Sequence, residues 1–238
     1  MSGHSKWKNI MHKKEKTDSA RAKVFTKIGK EMTIAVREGG PDPTSNSKLR
    51  DLIQKAKSLN VPNDNIDRVI KKASGADAVE YEEMVYEGYG PGGVAVIVEA
   101  ATDSRNRTAA DVRHYFDKFG GNLGTTGCVS FMFSSKGVIY IPAEGLDEDK
   151  AMEDALECGA EDFVPEEEMF EVYTVPADLR SVADALTEKG YKYESAEVEK
   201  IPANYVTLTE EEHLVKMQKL LDALDDNDDV TQVWHNWE

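Results

Sequence analysis

The chain of 238 residues has only two cysteines and no apolar run long enough to cross a membrane. Its longest apolar run, Val94 to Val98, falls far short of the roughly 20 residues that a membrane helix needs. Cys128 and Cys158 lie far apart in the sequence, which favours reduced packing residues over a disulfide or a metal site. The first residues are polar and rich in lysine, without the apolar core of a signal peptide. We therefore predict a cytoplasmic protein that does not interact with membranes.

Signatures of catalysis and of cofactor binding are also missing. The sequence has no nucleophile elbow, no paired histidines at metal-ligand spacing, and no cysteine with a nearby histidine. The glycines from Gly88 to Gly93 have the spacing of a dinucleotide-binding loop, but a strand, not a helix, is predicted after them. We predict a hairpin loop at these glycines, and a non-enzymatic protein with no cofactor, no metal and no small-molecule substrate.

Charge is distributed unevenly along the chain. Residues 1–75 contain 17 Lys and Arg against 8 Asp and Glu, a net charge of +9. Residues 76–238 contain 12 and 37, a net charge of −25, which together with the first part gives the total of −16. A basic head on an acidic body predicts a polyanionic partner for the head, and the acidic body would repel that partner.

Helical periodicity dominates the first 75 residues. Apolar residues recur at helical spacing over residues 18–37, 49–59 and 66–73, with Asn63 or Asp64 expected to cap the third helix. These residues are predicted to form a basic helical N-terminal domain. The polar side of the first helix carries a line of cations that is predicted to face solvent and comprises Lys16, Lys23, Lys27, Lys30 and Arg37.

Strand periodicity replaces helical periodicity after a short linker at residues 76–80. Residues 136–202 have the order β-α-β-β-α-β, which is that of ferredoxin-like domains. The predicted fold class is multidomain α and α+β, in which an N-terminal helical bundle is followed by two α+β domains, one of them ferredoxin-like and inserted into the other. The predicted domains are residues 1–75, residues 76–135 plus 203–238, and residues 136–202. The elements flanking the insertion are predicted as strands at 84–87, 94–100, 128–133, 205–208 and 230–237, with helices at 108–119 and 210–224.

The N-terminal segment combines an aromatic ring with many cations, which is typical of an arm that contacts phosphates and stacks on a base. The alternative is a disordered tail whose lysines aid solubility and whose Trp7 packs on the first helix. Continuity with the helical cations favours binding, and replacing Lys23, Lys27 and Lys30 by Glu is expected to weaken binding with little unfolding. The predicted nucleic-acid-binding residues are His4, Ser5, Lys6, Trp7, Lys8, Lys13, Lys14, Lys16, Arg21, Lys23, Lys27, Lys30 and Arg37.

Two later segments are secondary candidates. The glycine loop would let a backbone approach closely, with Tyr89 as a ring for stacking. Arg105 and Arg107 precede a predicted helix, where they would either grip a phosphate or pair with Asp103 and Asp111, and the acidic surroundings favour the ion pairs. The secondary contact candidates are Tyr89, Gly90, Gly92, Arg105, Arg107 and Arg113.

Seven short segments carry a resemblance to a known family. They are residues 3–7 (GHSKW), 21–23 (RAK), 25–27 (FTK), 39–42 (GGPD), 86–93 (YEGYGPGG), 105–108 (RNRT) and 120–124 (GGNLG). Together they resemble those of the YebC/PmpR family. The resemblance implies three domains, with the ferredoxin-like one inserted, and a non-enzymatic regulator of gene expression. The family has two functional descriptions, namely DNA-binding transcriptional regulators and translation factors that act at the ribosome, including at proline-rich stalls.

The residues leave the choice of partner open between DNA and ribosomal RNA. Lysine positions a protein on phosphate but discriminates bases poorly, and an acidic body suits the basic proteins of a ribosome, so charge slightly favours RNA. The family's designation favours a DNA-binding transcriptional regulator, which is the function we predict. A protein-interaction adaptor with an incidental basic tail is the third hypothesis, and it is favoured if deleting residues 1–16 leaves activity intact.

Overall fold

The computed structural model of the protein describes residues 18–76 and 78–238. These residues divide into two compact units, of which the smaller is Met132–Ala203 and the larger comprises the remaining described residues. No helix in this part of the chain is both long and apolar enough to span a bilayer. No three histidine, cysteine or carboxylate side chains of residues 18–76 and 78–238 are grouped so as to hold a metal ion.

The described residues form seven α-helices and eight strands. The helices are α1 Asp18–Gly39, α2 Ser47–Ser58, α3 Asn63–Ala73, α4 Arg105–Lys118, α5 Glu148–Glu157, α6 Leu179–Glu188 and α7 Glu211–Asp226. The strands are β1 Glu82–Tyr89, β2 Ala95–Thr102, β3 Asn122–Leu123, β4 Phe133–Pro142, β5 Asp162–Pro165, β6 Met169–Thr174, β7 Ser195–Pro202 and β8 Val230–His235.

The first three helices of the larger unit share one apolar core. Ile28, Met32, Leu49 and Ile66, which all lie at the predicted helical spacing, are buried in it. The third helix begins at Asn63, with Pro62 in the N-cap position and no side-chain cap, so the predicted cap at Asn63 or Asp64 is wrong. Proline fixes its own φ and has no N–H to satisfy, which suits it to the start of a helix.

The larger unit also contains a four-stranded antiparallel sheet in the order β3-β1-β2-β8. Helices α4 and α7 pack on one face of it, where Val96, Val98, Phe116 and Leu220 are buried. Helix α1 contacts β2 and β8, and both faces of β2 are buried. A strand covered on both sides has a nearly continuous apolar sequence, as residues 94–98 do.

The smaller unit is a four-stranded antiparallel sheet in the order β5-β6-β4-β7. Its elements follow the predicted order β-α-β-β-α-β. Helices α5 and α6 contribute to a core that also buries Ile139, Ile141, Phe170 and Val172 of the sheet. The alternate positions of the same strands carry Tyr140, and that residue belongs to a second, smaller apolar cluster.

Two predicted strands are wrong. Residues 128–133 were expected to be extended, but Ser130–Met132 is a turn of 3₁₀ helix and the strand begins only at Phe133. Residues 205–208 form only an isolated bridge between Val206 and Trp237. The apolar content of a segment does not show whether its backbone N–H and C=O groups pair with a neighbouring strand or with other partners.

The buried carboxylate of Glu87 accounts for the first of these differences. It is only 3% exposed and accepts hydrogen bonds from the backbone N–H groups of Gly127 (2.8 Å), Val129 (2.9 Å) and Ser130 (2.8 Å). Burial alone would raise the pKa of Glu87, but these hydrogen bonds lower it below its ordinary value. The backbone of residues 127–130 therefore curves around one side chain of β1 and does not pair as a strand.

Glu87→Ala is expected to lower the free energy of unfolding by about 3 kcal/mol, because three backbone N–H groups, that of Val129 buried and those of Gly127 and Ser130 partly buried, would lose a charged acceptor. Urea unfolding monitored by circular dichroism measures this change. The matched control is Asp117→Ala, which removes an exposed carboxylate from the same unit and should change the free energy by less than about 0.5 kcal/mol. Equal effects of the two substitutions would refute the role given to Glu87.

Candidate nucleic-acid interface

Three of the predicted phosphate-binding lysines lie against an acidic turn of the chain itself. This turn, residues 225–229, links α7 to β8 and is called the acidic turn below. Lys23 Nζ lies 3.0 Å from Asp226 Oδ1, and Lys30 Nζ lies 2.5 Å from Asp229 Oδ1. Lys27 Nζ donates to the backbone carbonyl of Asp225 and is 3.6 Å from its carboxylate. The polar side of α1 is thus an intramolecular contact.

The prediction that these lysines face solvent is therefore wrong for Lys27, which is only 7% exposed, and for Lys30, whose side chain is 12% exposed. The physical reason is the end of α7. Its last carbonyl groups carry the negative end of the helix dipole, and the carboxylates of the acidic turn add to it. Lys23 remains half exposed, but it too has its partner within the chain.

Asp229 is the centre of this contact. Its side chain is 6% exposed and receives Lys30 on one oxygen, while the other accepts from Arg107 Nη2 at 2.7 Å and Thr108 Oγ1 at 2.7 Å. Burial would raise the pKa of Asp229, but the hydrogen bonds from Lys30, Arg107 and Thr108 lower it to about 2. One buried carboxylate thus joins α1, α4 and the start of β8.

The arginines in the first turn of α4 form ion pairs, as the acidic surroundings suggested. Arg107 bridges Asp229 and Asp103, both at 2.7 Å from Nη2, and these bonds raise the pKa of its guanidinium above the ordinary value. Arg105 Nε lies 2.7 Å from a carboxylate oxygen of Glu82. Phosphate binding by either arginine would require one of these pairs to open.

A pocket of about 380 Å³ opens beside Asp229. Its wall holds two cations, Lys30 and Arg107, and four carboxylates, of which two belong to Asp103 and Asp111. A wall with more carboxylates than cations does not select a polyanion. The pocket gives no support to a phosphate site.

The glycine loop is built for tight packing. The 3₁₀ turn Pro91–Gly93 joins β1 and β2, which confirms the predicted hairpin. A Cβ atom on Gly90 would lie 2.8 Å from the sulfur of Met217, and one on Gly92, where φ is +67°, would lie 2.3 Å from Leu208. The absence of side chains admits these apolar groups, so it does not imply an approaching nucleic acid.

The other predicted contact residues have varied environments. Tyr89 is 38% exposed and donates from its hydroxyl to the Cys128 carbonyl at 3.2 Å. Arg37 is exposed and lies 2.6 Å from Glu80, whereas Arg113 is exposed and has no ion-pair partner among residues 18–76 and 78–238. The side chain of Arg21 lies outside the described residues, as do His4, Ser5, Lys6, Trp7, Lys8, Lys13, Lys14 and Lys16.

Sequence reasoning missed Asp229 and Glu87 as organising groups. The acidic run from Asp225 to Asp229 directly follows the predicted helix at 210–224, and carboxylates at a helix C-terminus are a signal for cations elsewhere in the chain. Glu87 stands between the apolar Tyr86 and the glycines of the loop. The available signal for its structural role was that Glu87 is a carboxylate within a predicted strand.

Two family models match most of the chain. The model described as the N-terminal domain of TACO1/YebC proteins matches residues 5–76, and that of the second and third domains matches residues 81–237. A protein of Acetivibrio thermocellus is 60% identical over all of this chain and 99% of its own length, and one of Finegoldia magna is 55% identical over the same shares. Both are named probable transcriptional regulatory protein.

A solved structure is also similar. The crystal structure of a conserved hypothetical protein from Aquifex aeolicus has a TM-score of 0.84 and 47% sequence identity. The match covers 94% of this chain and 92% of that protein. At this identity and coverage the likeness extends to the whole arrangement of N-terminal helices followed by sheet-containing domains.

Asp229→Asn is expected to lower the free energy of unfolding by about 3 kcal/mol, because Lys30 and Arg107 would lose a buried counter-ion. Because the native pKa of about 2 lies below the unfolded value of 3.8, native Asp229 contributes about 2 kcal/mol that is fully present above pH 5 and is lost as the pH falls towards 2. The variant should lack this part of the pH dependence in urea unfolding.

The matched control is Asp228→Asn, which alters an exposed carboxylate of the same turn whose backbone carbonyl, not its side chain, accepts from Lys30. It should retain both the stability and the acid dependence of the unaltered chain. If the two variants unfold alike between pH 2 and 5, Asp229 does not tie α1 to the sheet.

Proposed function

Because the chain belongs to the TACO1/YebC family, we propose that it is a non-enzymatic regulator of gene expression that binds DNA as a transcriptional regulator in the cytoplasm. The observation that carries the proposal is the segregation of charge, +9 in residues 1–75 against −25 in the rest. The positive charge of residues 1–75 attracts the phosphate backbone of DNA. The negative charge of residues 76–238 repels that backbone, so the contact is confined to the first part of the chain. The relatives' name, probable transcriptional regulatory protein, supports the same function.

The docking of α1 changes which residues are available for DNA. Lys23, Lys27 and Lys30 already have carboxylate partners, so they contribute to binding only if α1 leaves the acidic turn. The proposed contact therefore rests on the segment before α1, where the cations are Lys6, Lys8, Lys13, Lys14 and Lys16. Trp7 lies within that segment and supplies the ring for stacking.

We also propose the nested arrangement of three domains, with residues 136–202 inserted between 76–135 and 203–238. Two observations support it. Met132–Ala203 is a compact unit by itself, and β8, which follows it in sequence, pairs with β2, which precedes it. Residues 1–75 form the third proposed domain, and α1 of that domain is held by the acidic turn.

Replacing Lys6, Lys8, Lys13, Lys14 and Lys16 by Gln is expected to weaken binding to duplex DNA at least tenfold at physiological salt. If four to six cations contact phosphates, log affinity of the unaltered chain should fall against log salt with a slope of roughly −4 to −5, and the variant should lose most of this slope. Fluorescence anisotropy with a labelled duplex measures both quantities.

A matched control removes five lysines of the acidic body, namely Lys118, Lys136, Lys150, Lys192 and Lys219, and should leave affinity and slope nearly unchanged. A salt slope close to zero for the unaltered chain would contradict the proposed electrostatic contact. Equal losses in both variants would show that only net charge matters.

A ribosome-associated translation factor that relieves stalling, for example at proline-rich stretches, is the second candidate function. The observation that favours it is the net charge of −25 on residues 76–238, because a ribosome offers basic proteins to such a body as well as RNA to the head. Cross-linking in cells followed by sequencing of the attached DNA and RNA separates the two candidates. Discrete promoter peaks support the regulator, whereas reads concentrated in ribosomal RNA support the translation factor.

A further inference from the structure

About half of the lysine and arginine side chains that the structure describes make an ion pair with a carboxylate of the chain. Of those that make none, five lie on α2 and α3. Lys57, Arg68, Lys71 and Lys72 are exposed, and none of them makes an ion pair with a described residue. Arg50 of α2 is partly exposed and likewise unpaired in this part of the chain. Elsewhere along residues 18–76 and 78–238, the exposed cations without an ion pair are scattered and comprise Arg113, Lys118, Lys192 and Lys219.

The cations of α3 share one side of the helix. Positions 68, 71 and 72 are separated by three and four residues, which places them on neighbouring points of one helical face. The opposite face holds Ile66 and Ala73, which are buried in the core of the three helices. The fold therefore fixes this face outward, and the lysines cannot turn inward without breaking the core.

Nearby acids do not cancel this charge. Residues 47–73 contain seven Lys and Arg and three Asp, a net charge of +4. Asp64 and Asp67 precede Arg68 and Lys71 by four residues each, but no ion pair forms at either spacing. Both acids belong to the first half of α3, whereas Lys71 and Lys72 occupy its last turn.

The cationic face of α3 differs from the polar side of α1 in its counter-ions. The acidic turn neutralises the lysines of α1 but leaves those of α3 without a counter-ion in a chain whose net charge is −16. A row of like charges repels itself, and such a row is stabilised when it meets an external polyanion. Solvated lysines serving solubility would not need to gather on one face of one helix.

We propose that the exposed face formed by Arg68, Lys71 and Lys72 of α3 binds the phosphodiester backbone of a nucleic acid. None of these three residues is among those that the sequence singled out. The inference rests on the proposed function and adds a second contact to that of the N-terminal segment. Arginine and lysine here position the backbone and carry no base specificity, so the contact suits either DNA or RNA.

The test compares the full-length chain with its Arg68→Gln, Lys71→Gln, Lys72→Gln triple variant. The probes are a labelled DNA duplex of about two helical turns and a ribosomal RNA fragment of similar length. With the duplex, the triple variant should bind at least tenfold more weakly at physiological salt, and its salt slope should be smaller by about 2 to 3, since each lost phosphate contact removes about 0.9. Circular dichroism and the urea midpoint should be unchanged because the three side chains are exposed.

The matched control is the Lys118→Gln, Lys192→Gln, Lys219→Gln triple variant, which removes the same charge from scattered exposed positions and should bind within twofold of the unaltered chain. Weakening on DNA alone or on RNA alone supports the face and identifies the source of the phosphates. Provided that the unaltered chain binds, two outcomes overturn the inference. One is that the α3 variant keeps the affinity and salt slope of the unaltered chain, and the other is that the control variant loses as much affinity as the α3 variant. If the unaltered chain binds neither probe, the proposed function fails as well.

Discussion

The arrangement of the larger unit depends on one buried carboxylate, that of Asp229. It receives a lysine from α1 and an arginine and a threonine from α4, and it stands at the entry to β8. Burying a carboxylate is unfavourable unless cations and hydrogen bonds replace its water, and here all of them come from elements far apart in sequence. The position of the N-terminal helices on the sheet follows from meeting this requirement, with the other carboxylates of the acidic turn extending the contact to Lys23 and Lys27.

Local patterns in the sequence predicted local structure well. The spacing of Ile28 and Met32 predicted α1 and its buried side, and alternation predicted the hairpin of β1 and β2. The predictions that failed depend on contacts between residues that are far apart in the sequence. Lys23 and its partner Asp226 are 203 positions apart, so the cationic side of α1 could be recognised as polar but not as occupied. Glu87 redirected residues 127–130 in the same way, from 40 positions away or more.

The candidate site shows the same division between what is local and what is not. The sequence placed the N-terminal segment, Lys23, Lys27 and Lys30 in one continuous basic surface. The structure separates the three lysines from it by giving them partners. It also leaves Arg68, Lys71 and Lys72 exposed, although their spacing gave no signal beyond an ordinary amphipathic helix. In a chain with an excess of acidic residues, a nucleic-acid contact is best indicated by the cations that the fold leaves without an anionic partner.

The central claim is that Lys30 belongs to the fold and not to the nucleic-acid contact. A double-mutant cycle with Lys30→Met and Asp229→Asn tests it most directly, with urea unfolding and duplex DNA affinity measured on all four chains. The account predicts that the two substitutions are coupled in stability by more than about 1 kcal/mol, and that Lys30→Met leaves the affinity of the folded chain unchanged. Additive effects on stability, together with a loss of affinity in Lys30→Met, would contradict it.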